Sequence, residues 1–128
     1  MSTAMRHAMR PKVLVIDTNE NDARSFADVL GAASVDIETD SDAGVARLGR
    51  GERYDLVVCD LAARGELSAQ FAGALRKLDG RGTLFAVISD DPQEAEAYSD
   101  AGVCVLSPPV RSADLRALLD AATRNGRS

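Results

Sequence analysis

Short apolar runs alternate with amphipathic stretches five times along this chain. Lys12–Ile16 (KVLVI) is brief, continuous and rich in β-branched residues, the mark of a strand covered on both faces. Thr18 or Asn19 is placed to cap a following helix, whose apolar positions Ala23, Phe26, Ala27 and Leu30 recur at i, i+3, i+4 and i+7. Gly31 is positioned to stop it. Ser34–Glu38 alternates polar and apolar residues and predicts a half-exposed edge strand. Ser41 then caps a weaker helix through Leu48, closed by the glycine-containing turn at 49–51. Residues 55–59 (DLVVC) predict the central strand. Beyond the loop at 61–65, Phe71, Ala74, Leu75 and Leu78 share one helix face, with a stop near Gly80. Residues 83–88 (TLFAVI) predict the fourth strand, and Pro92 suits the first turn of a helix reaching Ala101 and ended by Gly102. Residues 103–106 form a brief fifth strand that Ser107, Pro108 and Pro109 forbid from continuing. A last helix carries Leu115, Leu118, Leu119 and Ala122.

Such alternation implies right-handed crossovers and a mostly parallel sheet between helical layers, a three-layer α/β fold. With no internal repeat or linker, one domain is expected over residues 12–123, with a flexible tail at 1–11 and a frayed end at 124–128. At 128 residues the chain is long enough to bury a sizeable core. Aromatic residues are 4% and Trp is absent, so that core must rest on Val, Leu, Ile and Ala. A net charge of −5 argues against gripping nucleic acid or anionic lipid. Cys59 and Cys104 both fall in apolar runs, as buried thiols do. His7 is the single histidine, so no His/Cys metal spacing exists. The apolar runs are too short to span a membrane, and the first residues lack the apolar stretch of a secretory signal. A cytoplasmic protein is expected.

An acidic residue closes two of the apolar runs: Asp17 after the first and Asp60 after the third. Strand ends of a parallel sheet can meet at one edge, where ligands collect. The only lysines are Lys12 and Lys77, so nothing after Lys77 supplies an ammonium to that pair.

In order and spacing, VLVIDTN, YDLVVCD, VIS and the passage from Ala101–Gly102 to the two prolines resemble the receiver domain of two-component response regulators. The likeness covers residues 12–122 and implies a flavodoxin-like (βα)5 doubly wound sheet of strand order 2-1-3-4-5. It implies that Asp60 is the phosphoacceptor for a histidine kinase and that Ser89 bonds the phosphoryl group. The acidic pair that holds Mg²⁺ in the family reads Asp17 and Thr18 here, leaving Asp17, Asp60 and the Ala62 carbonyl as implied ligands. One negative charge is thereby lost, and weak Mg²⁺ binding is expected. The family's lysine before a proline aligns with Pro108, and its switch aromatic on the fifth strand aligns with Val105.

These departures matter because a carboxylate attacking phosphorus must approach oxygens that are already negative. Fixed cations and positioning do most of the catalytic work. The missing lysine removes a charge-assisted hydrogen bond worth roughly 1.5–3 kcal/mol. Asp90 and Asp91 follow Ser89 and threaten to add negative charge, whereas Arg64 or Arg111 could reach in as a substitute cation. The loop LAARGEL after Asp60 lacks the family's Met–Pro and Asp–Gly elements.

The resemblance with these departures predicts a stand-alone, atypical receiver domain of bacterial two-component signalling, not an enzyme, with phosphorylation at Asp60 weak or absent. Its partner would be a histidine kinase or another signalling protein, met through the fourth helix, fifth strand and fifth helix. Asp90, Asp91, Glu94, Glu96 and Asp100 make the first part of that face acidic. A monomer or weak dimer is expected. One alternative is a competent phosphoacceptor relay repaired by Arg64 or Arg111. The other is a small flavodoxin-like flavin or nucleotide binder, although DTNEND offers no glycine-rich phosphate cradle.

Overall fold

Five parallel strands, each a short run of branched apolar residues, hydrogen-bond in the order β2-β1-β3-β4-β5 in a computed structural model of the chain. The structure describes residues 10–31, 33–60, 83–100 and 102–127. The strands are β1 (Lys12–Ile16), β2 (Ser34–Glu38), β3 (Leu56–Asp60), β4 (Leu84–Ile88) and β5 (Cys104–Leu106). The described helices are α1 (Glu20–Val29), α2 (Ser41–Gly49), α3 (Pro92–Asp100) and α4 (Ser112–Arg127). The expected helix around Phe71, Ala74, Leu75 and Leu78 lies outside the described residues, as does the tail at 1–9. Helix α3 is therefore the fourth helix of the sequence-based expectation and α4 the fifth.

Period-two alternation sends successive side chains to opposite faces of the sheet. Val13, Val15, Leu56, Val58, Ala86 and Ile88 face Ala23 and Leu30 of the α1 region and Leu115, Leu118 and Ala122 of α4. Leu14, Ile16, Val57, Cys59, Phe85 and Val87 face the other way, against Leu48, Tyr54 and Tyr98. Both faces of β1, β3 and β4 are dry, which explains why their sequences read as continuous apolar runs. The three layers are as the alternating pattern predicts, and the doubly wound strand order is as the resemblance implies.

Local chemistry sets the boundaries. The Asn19 side chain caps α1, accepting from the N–H groups of Asn21 (2.9 Å) and Asp22 (3.2 Å). Helix α1 ends at Val29 with Leu30 as its C-cap, and Gly31 has no positive φ, so the stop does not come from a left-handed Gly31. The glycines that do stop helices are Gly51 (φ +90) and Gly102 (φ +86). After α3, the Gly102 N–H donates to the Ser99 carbonyl and the Val103 N–H to the Tyr98 carbonyl, both at 3.0 Å, the paired closure of a Schellman motif. Helix α4 continues through Arg127, beyond residue 123 where the domain was expected to end. Strand β5 is half-buried throughout, so Cys104 is less enclosed than Cys59; both thiols are free.

Candidate functional site: an acidic cluster at the carboxyl edge of the sheet

Register brings the acidic strand ends together. Ile16 pairs with Cys59, so Asp17 and Asp60 follow their partners at the same edge of neighbouring strands. On the other side Asp60 pairs with Ile88, which places Ser89 one residue beyond it. The crossover direction reverses between β1 and β3, the topological position where α/β sheets place their ligand crevices.

Asp17 is 2% exposed. Its Oδ1 accepts from the Asn19 N–H at 2.9 Å, while its buried Oδ2 has no hydrogen-bond partner. Burial is the main reason its carboxyl is pushed up to about 6; the Asn19 hydrogen bond opposes that, and the charges of Asp60 and Asp22 reinforce it. One carboxylate oxygen from each of Asp17, Asp22 and Asp60 lies within 4.8 Å of the others. Hard oxygen donors at this spacing, one of them a buried orphan, fit a divalent cation such as Mg²⁺.

Asp22 is the member that the sequence reading missed. Thr18, the position expected to weaken the cluster, is exposed, and α1 supplies a third carboxylate from four residues further on. The signal was available. With Asn19 as N-cap, Asp22 is the third helical residue, the position whose side chain folds back towards the cap. Ala62 and Arg64, expected as ligand and substitute cation, lie outside the described residues.

The β4 side holds a second surprise of the same kind. Ser89 is 2% exposed, and its hydroxyl donates to Glu94 Oε1 at 2.6 Å while accepting from the Asp91 N–H at 3.1 Å. Asp90 and Asp91 were the acids expected to threaten the pocket, yet both are exposed, and Asp91 Oδ1 caps α3 by accepting from the Gln93 N–H at 3.0 Å. Glu94, third in α3 after that cap, is the carboxylate that reaches Ser89. The Cys59 thiol registers the accumulated charge. Burial pushes it up to about 12, and Asp60, Asp17 and Glu94 each add to the shift.

Two of the described cations are engaged away from the cluster. The Lys12 ammonium sits 4.9 Å from the Tyr54 ring centroid, and the Lys12 N–H donates to Asp55 Oδ2 at 2.9 Å. Lys12 thus anchors the opposite end of β1, about 16 Å from Asp17 at strand rise. Arg47 bridges Glu38, Asp36 and Glu52 beside Tyr54, on the outer side of β2. Arg111 is exposed, and its carbonyl accepts from Asp114 and Leu115 at the start of α4. Pro108 is exposed after β5, joined to Pro109 by a cis peptide. Val105, half-buried beside Val87, fills the place of the expected switch aromatic. A neighbouring cleft of about 460 Å³ is lined by Glu20, Arg24, Ile37, Glu38 and Thr39, with no aromatic wall for a flavin.

No family model matches the sequence, and no curated protein does. Solved structures do match in fold. A response-regulator receiver domain from Clostridium thermocellum superposes with a TM-score of 0.79 at 18% identity, covering 91% of this chain and 97% of its own. A response-regulator receiver domain from Francisella gives 0.75 at 18% identity, covering 90% and 98%. A structure described as an adenylate cyclase from Rhodopirellula baltica gives 0.77 at 15% identity, covering 91% and 90%. The chain therefore has the flavodoxin-like fold of response-regulator receiver domains. Among its described residues no helix is long and apolar enough to cross a membrane.

Proposed function

We propose that this chain is an atypical receiver module of two-component signalling that works through protein–protein interaction, with phosphorylation at Asp60 weak or absent. The observation that carries the reading is the meeting of Asp17, Asp22 and Asp60 at the carboxyl ends of β1 and β3, where the strand order reverses. Asp60 is the acceptor position of this reading. In the phosphoryl transfer, an Asp60 carboxylate oxygen would form a bond to phosphorus as the donor's bond to phosphorus breaks, P–N in a phosphohistidine or P–O in acetyl phosphate, and the leaving imidazole or acetate departs with the electron pair.

Asp17, Asp22 and Asp60 would hold Mg²⁺, with the Ala62 carbonyl as a further ligand. Bound there, the ion supplies neutralising charge to an anion on Asp60. Binding is weak because Asp22, which replaces the charge missing at Thr18, is exposed and screened by solvent. Pro108 offers neither an ammonium nor a backbone N–H, and Ser89 already has an acidic partner in Glu94. Both features disfavour an acyl-phosphate. Partner binding falls to the face formed by α3, β5 and α4. Its exposed Asp90, Asp91, Glu96 and Asp100 suit a basic docking surface on a histidine kinase or another signalling protein.

Acetyl phosphate with Mg²⁺, followed by intact mass measurement, tests the reading. Little or no phosphoryl adduct is expected. Stoichiometric modification that disappears in Asp60→Ala would replace this reading with a competent phosphorelay intermediate.

A further inference from the structure

Asp60 is flanked by β1 and β4, and the helix that follows each of these strands sends its third residue back over the sheet edge. From α1 comes Asp22, which joins the carboxylate cluster. From α3 comes Glu94, which takes the hydroxyl of a serine that is itself almost wholly buried. The two acids have different consequences. Asp22 adds a ligand where a cation fits, whereas Glu94 adds negative charge on the β4 side and fills the donor capacity of Ser89. A hydroxyl has one hydrogen to give, so Ser89 cannot donate to Glu94 and to a second anion at once.

We propose that Glu94 is the resident anion of this site: by occupying the Ser89 hydroxyl it keeps a second anion from settling on Asp60. Three placements support the assignment. Ser89 lies one residue past Ile88, the register partner of Asp60. Glu94 is close enough to the Cys59 thiol, next to Asp60 in sequence, to act on it electrostatically. The Ser89 hydroxyl is held from its other side by the Asp91 N–H, in the loop that leads into α3. Serine, glutamate and helix start thus form one unit, and an anion arriving at Asp60 must displace the Glu94 carboxylate. Glu94 acts as a specificity-determining residue through Ser89. The inference rests on the receiver reading of Asp60.

The test is uptake of beryllofluoride, a phosphoryl mimic, by the full chain in Mg²⁺, followed by fluorine NMR for wild type, Glu94→Gln and Glu94→Ala. Circular dichroism confirms that each variant is folded. Wild type is expected to bind weakly, and Glu94→Ala to gain roughly tenfold in apparent affinity, the order expected when a like charge at the site is removed. Glu94→Gln keeps the acceptor oxygen but loses the charge, so its gain should be intermediate. A purely structural role for the Ser89–Glu94 bond would lower stability in both variants and leave uptake unchanged. Weak uptake by all three folded proteins overturns the assignment of Glu94 and leaves the receiver reading in place. Tight uptake by wild type overturns both.

Discussion

Asp17 shows how a side chain can be kept at a cost to the fold. Its folded carboxyl is raised from 3.8 to about 6, so the native state holds that proton more tightly than the unfolded chain does. Working the sign through, the penalty for ionised Asp17 is absent below about pH 4, grows between the two values, and is complete above about pH 6. The full shift corresponds to on the order of 3 kcal/mol at neutral pH. Asp17→Asn keeps an oxygen for the Asn19 N–H and removes the buried charge. In chelator, urea denaturation should show the variant more stable than wild type at pH 7.5, by up to about 3 kcal/mol, with the gain vanishing near pH 4. A loss of stability at pH 7.5 would mean that the ionised carboxylate has a stabilising partner. Stability that improves when a charge is deleted is the signature of a group retained for binding.

The elements supply these residues through their caps. Asn19 and Asp91 start α1 and α3, and the third residue after each, Asp22 or Glu94, turns back to the sheet edge. Sequence reasoning located Asn19 as a cap yet did not follow the cap to its third residue, so Asp22 was missed and Glu94 was read only as part of an acidic docking face. Asp17, Asp60 and Ser89 were legible because each closes an apolar run and needs only strand register to be placed. Where Asp91 and Asp90 point was not legible, because it depends on which carboxylate the helix start claims. Packing between elements matters as well. At Gly44 in α2 an added Cβ would lie 2.5 Å from Ile16 Cδ1 and 2.8 Å from Ile16 Cγ1. Ile16 directly precedes Asp17. Overpacking costs about 1–3 kcal/mol, against about 1 kcal/mol gained by replacing glycine with alanine within a helix. Gly44→Ala should therefore destabilise the fold by roughly 1 kcal/mol net, read as a lower urea midpoint. An unchanged or raised midpoint would show that Ile16 has another rotamer available. The sequence marked α2 as a weak helix, and this contact explains why a poor helix former sits in it.

For the whole molecule, alternating patterns were enough to predict five strands in a three-layer parallel sheet, and the resemblance to receiver domains supplied their order. The chemistry depended on a handful of side chains whose partners come from distant segments. A fold shared at 15–18% identity with receiver domains and with a protein described as an adenylate cyclase leaves function to the site. Here that site collects Asp17, Asp22, Asp60 and Glu94 at one end of the sheet, while Lys12 stands at the other end and Arg47 lies beyond β2. The central claim is that Asp17 lies buried at this acidic edge with one carboxylate oxygen unpartnered. The most direct measurement is a carbon-13 NMR titration of the Asp17 carboxyl in metal-free protein. A midpoint near 6 is the predicted result; a midpoint at or below the ordinary 3.8 would contradict the account by revealing a cation already at the edge.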